Sequence, residues 1–94
     1  MAVLSQEQIR RELEKLDGWR LDGDEITKTY VTKDFVDSIA FTLRVAFIAE
    51  RLNHHPDIAI RWNKVTLSAS THSEGGITEK DFELARAVDE GTAA

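Results

Sequence analysis

The chain has no cysteine, so a disulfide framework and a thiolate site are both excluded. That lack suits a reducing cytoplasm, the compartment expected here. No apolar run at the N-terminus resembles a signal peptide, and none elsewhere approaches membrane-spanning length, so no membrane partner is expected. No basic block stands out, and the formal net charge is −5. Direct nucleic-acid binding is therefore disfavoured, because neutralising phosphates needs a positive footprint. No serine stands in a nucleophile-elbow context, and no glycine-rich loop follows a strand to cradle phosphate. Internal repeats, linkers and low-complexity segments are also missing.

What is present suits one domain over residues 1–94. A chain this long buries about two-thirds of its unfolded surface, enough for a two-layer core without staples. Ser5-Gln6-Glu7-Gln8 is a capping box, and Ile9, Leu13 and Leu16 continue it as one apolar stripe that stops at Gly18. Trp19 to Leu21 and Glu25 to Val31 alternate apolar and polar residues around Asp22-Gly23, the pattern of a β-hairpin.

The longest helical pattern runs from Thr32 or Asp34 to about Asn53, where Pro56 discourages its continuation. At about 100° per residue it shows two apolar faces. Val36, Ala40, Leu43 and Phe47 occupy one wedge, continued by Glu50 and His54, and this wedge is expected to face the core. Phe41, Val45, Ile48 and Leu52 form an opposite stripe. The second stripe predicts self-association as a dimer or tetramer, unless the first or last helix covers it.

Asp57 to Trp62 and Lys64 to Ser70 alternate as a second hairpin, with Ile58, Ile60 and Trp62 on one face and Val65, Leu67 and Ala69 sharing another. Thr78-x-x-Asp81 caps a last helix, with Phe82, Ala85 and Val88 on its buried side and Gly91 at its end. Thr92 to Ala94 are expected to fray. Separate hairpins predict an α+β fold in the order α-β-β-α-β-β-α, a four-stranded antiparallel sheet with helices packed on one face.

All three histidines lie near the middle of this order: His54 and His55 just before Pro56, and His72 after the fourth strand. Glu50 is four residues before His54, so on a helix the two stack. A neighbouring carboxylate favours the charged imidazole and desolvation opposes it. Either way a histidine can give or take a proton near neutrality. Imidazoles from two elements converging on one pocket would place an acid and a base on opposite sides of a small molecule. Two blander readings compete. One makes His54 and His55 mere decoration of a helix C-terminus, where a cationic ring meets the dipole favourably. Three histidines also suggest zinc, but adjacent histidines rarely point the same way and no further carboxylate sits at a familiar spacing, so no metal is expected. Trp62 in a strand is more often core than ligand platform.

Glu50, His54-His55-Pro56, Trp62, His72 and Asp81, at these spacings, resemble the signature of the pterin-4a-carbinolamine dehydratases. Asn63-Lys64-Val65 and Ser70-Thr71-His72 also look like segments of that family, and the inferred element order agrees with its fold. The resemblance implies a dehydration with neither metal nor cofactor. The enzyme removes the C4a hydroxyl of a 4a-hydroxytetrahydropterin, with the N5 proton, as water, and so returns quinonoid dihydropterin for recycling after aromatic amino-acid hydroxylation. It implies His54 and His72 as acid and base, His55 as a group that holds and polarises substrate, and Glu50 as the residue that orients His54. It implies Asn53, Trp62, Ser70 and Thr71 around the pterin, although Asn53 stands where many members have an acidic residue. Asp81 is read as a capping residue. The alternative function is an interaction module, since animal members act as dimerisation cofactors of a homeodomain transcription factor; service to another pterin pathway is a third.

Overall fold

The structure, a computed structural model, describes residues 3–93. It contains α1 (Gln6–Glu14), β1 (Arg20–Asp22), β2 (Glu25–Val31), α2 (Phe35–Leu52), β3 (Asp57–Arg61), β4 (Lys64–Ala69), a 3-10 turn (His72–Glu74) and α3 (Glu79–Gly91). The α-β-β-α-β-β-α order is the one the sequence implies. Each α-helix begins where a side chain satisfies free N–H groups. Gln8 N donates to Ser5 Oγ at 3.1 Å while Ser5 N donates to Gln8 Oε1 at 2.8 Å. Asp34 accepts from Asp37 N at 2.8 Å, and Thr78 and Asp81 form a second capping box. Caps of this kind contribute ~1 kcal/mol each.

The four strands form an antiparallel sheet in the order β1-β2-β4-β3. In the central pair Ile26 faces Ala69, Lys28 faces Leu67 and Tyr30 faces Val65, so these six share one surface of the sheet. Ile26, Val65 and Leu67 there are fully buried. They pack in one cluster with Ile9 of α1, Phe41 and Val45 of α2, and Phe82 and Val88 of α3, so all three helices cover the same face. The opposite face is more polar, with Thr29 and Thr66 hydroxyls bonded across the strands at 2.8 Å.

The two apolar faces of α2 exchange the roles expected of them. Phe41, Val45 and Ile48 are buried in the protein's own core, with Leu52 packed at its margin, and α3 lies against α2. Val36, Leu43 and Phe47 instead stand 75%, 58% and 70% exposed. The reason is continuity along the helix. The wedge of Val36 and Phe47 runs into Glu50, whose charge would be costly to bury unpaired. The stripe of Phe41 and Val45 runs instead through Ser38 and Ala49, small residues that are both buried. At the far end, a Cβ on Gly91 would lie 2.7 Å from Ile48 Cδ1, so glycine permits the close approach of α3 to α2. The chain end is more ordered than expected, since Thr92 N and Oγ1 both donate to Val88 O; Ala94 lies outside the described residues.

Candidate functional site

Helix α2 stops at Asn53, whose φ of 52° and ψ of 42° are left-handed. Asparagine tolerates this region better than most side chains. Two reverse bonds complete the stop, His54 N to Ala49 O at 3.1 Å and Asn53 N to Glu50 O at 3.2 Å, the paired pattern of a Schellman motif. The turn lifts His54 out of the helical column above Glu50. The expected Glu50–His54 stack therefore does not form. Glu50 Oε2 meets His55 Nε2 at 2.5 Å instead, in a pair that is 76% and 54% exposed.

His54 turns inward to α3. Its Nε2 lies 2.6 Å from Oδ1 of Asp81, which is completely buried. The other oxygen, Oδ2, accepts from Thr78 N and from Thr71 Oγ1, both at 2.9 Å. Asp81 thus caps α3, as expected, and also grips His54, which was not foreseen. An ionised carboxylate only accepts, so the hydrogen in the short contact belongs to His54 Nε2. This leaves Nδ1, the unprotonated nitrogen of that tautomer, without a partner among the described residues. One buried carboxylate fixes the tautomer of one imidazole.

His72 opens the 3-10 turn, exposed, and its ring has no partner among the described residues. It reaches the same neighbourhood because its predecessor Thr71 bonds the carboxylate that bonds His54. Ser70 is 8% exposed, with no side-chain partner among the described residues, so its hydroxyl remains available. Thr71 is otherwise placed than the sequence implied: it is buried and its hydroxyl contacts Asp81 and Thr78. Asn53 is exposed beside the histidines.

Trp62 does not join them. It occupies the two-residue loop between β3 and β4, with φ of 52° and 66% exposure. His54 and His55 precede the start of β3, and His72 follows the end of β4. The five-residue strand therefore puts about 16 Å between Trp62 and that end of the sheet. Neither is Trp62 core, as a strand tryptophan usually is.

A second polar cluster lies outside the histidine group. Asp89 of α3 accepts from Trp19 Nε1 at 3.0 Å, Lys28 Nζ at 3.1 Å and Tyr30 Oη at 2.5 Å. Burial, and then the hydrogen bond and charge of Asp89, push the Tyr30 phenol far above its ordinary range. This cluster ties the first hairpin to α3 and borders a groove of about 790 Å³ that also touches Phe41 and Arg44.

Residues 2–91 match the family described as pterin 4 alpha carbinolamine dehydratase. A Roseiflexus castenholzii protein named as a candidate pterin-4-alpha-carbinolamine dehydratase is 53% identical over 89 residues, 95% of this chain and 96% of its own. Among solved structures, the transcriptional coactivator/pterin dehydratase from Brucella melitensis superposes with a TM-score of 0.89 at 35% identity, covering 97% of this chain and 99% of that one. A pterin dehydratase-like protein identified as a RuBisCO assembly factor in the alpha-carboxysome shares the fold alone, with a TM-score of 0.68 at 21% identity over 83% of this chain and 93% of that one.

Proposed function

Because this chain belongs to the pterin 4 alpha carbinolamine dehydratase family, we propose that it dehydrates a 4a-hydroxytetrahydropterin and serves pterin recycling in the cytoplasm. The single domain of residues 1–94 carries the whole activity. In the reaction the C4a–O bond breaks and the hydroxyl leaves as water. The N5–H bond gives up its proton, and the N5 electron pair forms the new C=N bond of the quinonoid product. The nitrogen lone pair already drives the C–O cleavage, so the protein need only protonate the departing oxygen and accept the N5 proton. General acid–base catalysis, worth ~10²- to 10⁴-fold, is of the right size.

The observation that carries the reading is the pair of half-buried His54 with the buried Asp81 carboxylate, tied through Thr71 to the element that bears His72. His54 Nδ1 and the His72 ring are the acid and base. His55, paired with Glu50, holds the substrate edge, and Ser70 and Asn53 offer it hydrogen bonds. The test is to generate the 4a-hydroxypterin with a phenylalanine hydroxylase and follow its decay with and without this protein. Acceleration that is lost in a His54→Ala/His72→Ala double variant supports the reading. No acceleration, or equal acceleration by the double variant, removes it.

The exposed face of α2 supports self-association beside this activity. Val36, Ala40, Leu43 and Phe47 are spaced four, three and four apart, the seam spacing of paired helices. Laid antiparallel on a second copy about the midpoint of Ala40 and Leu43, Val36 meets Phe47 while Asp37 approaches Arg44, so opposite charges flank the apolar seam. The same face would suit an interaction module, the kind of role that the Brucella protein's name of transcriptional coactivator describes.

A further inference from the structure

We infer that Thr71 is a positioning residue that sets His72 relative to His54, acting through Asp81, and is not a contact for the ligand. The proposal deepens the dehydratase reading and rests on it for its kinetic arm. Thr71 is pinned at every polar atom it has. Its N donates to Gly76 O at 2.8 Å, and its O accepts from Glu74 N at 2.9 Å and Gly75 N at 3.0 Å. The loop that carries His72 is therefore closed onto Thr71, whose side chain is the joint between that loop and α3.

The proton order in the joint follows from the groups present. Thr71 Oγ1 has one hydrogen and two neighbours, Asp81 Oδ2 at 2.9 Å and Thr78 Oγ1 at 2.8 Å. The carboxylate only accepts, so the Thr71 hydrogen goes to Asp81 and the Thr78 hydrogen goes to Thr71. Thr78 Oγ1 in turn accepts from Lys80 N at 3.2 Å. The chain runs one way, from the start of α3 through two hydroxyls to the carboxylate, and all three side chains are buried. Each donor to Oδ2 holds the carboxylate plane, and with it the direction of Oδ1 toward His54. One hydroxyl thus orients the first imidazole and anchors the backbone of the second. A hydroxyl with its only hydrogen given to Asp81 has none to donate to a ligand.

The experiment compares wild type, Thr71→Val and Thr71→Ser as full chains, by steady-state dehydration kinetics and by ¹⁵N imidazole NMR. Valine keeps the shape and removes the hydroxyl; serine restores it. In Thr71→Val, kcat should fall ~10- to 100-fold with KM within about twofold, as expected of misplaced reacting groups. The ring signals of both His54 and His72 should shift, His54 keeping its Nε2–H while its bond to the loosened Asp81 carboxylate weakens, and Thr71→Ser should recover both readings. A raised KM at unchanged kcat would make Thr71 a ligand contact and overturn the proposal, as would unmoved ring signals. Should Thr71→Val not fold, Thr71→Cys takes its place: its weaker donor should give a smaller kcat loss at unchanged KM, and an unchanged kcat with unmoved rings refutes the idea. Wild type without turnover would sink the dehydratase reading instead, while the ring signals still decide the role of Thr71.

Discussion

Replacing Asp81 by asparagine changes one atom and should reverse one tautomer. The carboxylate receives three donors: His54 Nε2 on Oδ1, and Thr78 N and Thr71 Oγ1 on Oδ2. An amide has a single oxygen. Two donors converge on the Oδ2 position, so the amide oxygen goes there and its NH₂ faces His54 Nε2. Two donors cannot share that contact. His54 must then carry its hydrogen on Nδ1, which turns the outward nitrogen from a base into a donor and removes the charge that would support a protonated ring. Three charge-assisted bonds, worth ~1.5–3 kcal/mol each, become neutral ones worth ~0.5–1.5, a loss of roughly 2–3 kcal/mol because the bonds share one group. At ~4–8 °C per kcal/mol for a domain near this size, the midpoint of thermal unfolding should fall by roughly 10–20 °C with the fold retained. The loss in kcat should reach at least ~10²-fold, the lower bound for a general acid–base group. Decay of enzymatically generated 4a-hydroxypterin reads the rate, and ¹⁵N imidazole shifts read the tautomer. A folded Asp81→Asn protein with kcat within twofold of wild type, or with His54 still protonated on Nε2, would refute the reasoning.

Glu50→Gln should behave differently, because the Glu50–His55 pair is largely exposed: stability within ~0.5 kcal/mol, measured by urea unfolding, and kcat within a few-fold of wild type. A loss matching that of Asp81→Asn would restore Glu50 as the dominant carboxylate. Tyr30, the single tyrosine, has a folded-state pKa raised above the unfolded value of 10.0. Its contribution to stability is therefore complete below pH 10 and is lost as pH rises beyond it, when the unfolded chain releases the proton and the folded one keeps it. Urea midpoints between pH 9 and 11 should fall more steeply for wild type than for Tyr30→Phe, with phenolate absorbance appearing only on unfolding; equal slopes, or phenolate in the folded protein, would contradict this. In light scattering, wild type should prove oligomeric and Phe47→Glu monomeric and still folded, whereas Val45→Glu, in the core, should unfold the chain; a monomeric wild type would refute the self-association. An oligomer unchanged by Phe47→Glu would move the interface elsewhere.

The order of elements was open to reading along the chain because it rests on local rules. Ser5 with Gln8 and Thr78 with Asp81 cap their helices through partners three residues away. Gly23-Asp24 turns the first hairpin, one residue on from the Asp22-Gly23 pair expected, and the β4 residues Val65, Leu67 and Ala69 reach the core by alternation alone. The histidine cluster was visible for a related reason, since residue types and their spacing survive without coordinates. Three decisions were made only in three dimensions. Both faces of α2 are apolar, so periodicity alone could not say which one turns inward; the charge of Glu50 in one wedge, and the close approach of α3 to the other, chose Phe41 and Val45. The left-handed Asn53 ends the helix one residue before His54, which voids the four-residue stacking rule and hands Glu50 to His55. Trp62 is adjacent to the motif in sequence yet a strand's length away in space. The carboxylate that grips His54 comes from Asp81, 27 residues onward, because the return of β4 and the start of α3 bring that buried oxygen to the ring. Sequence spacing determines what neighbours within a turn can do for one another, whereas contacts between distant segments exist only once burial has forced those segments together.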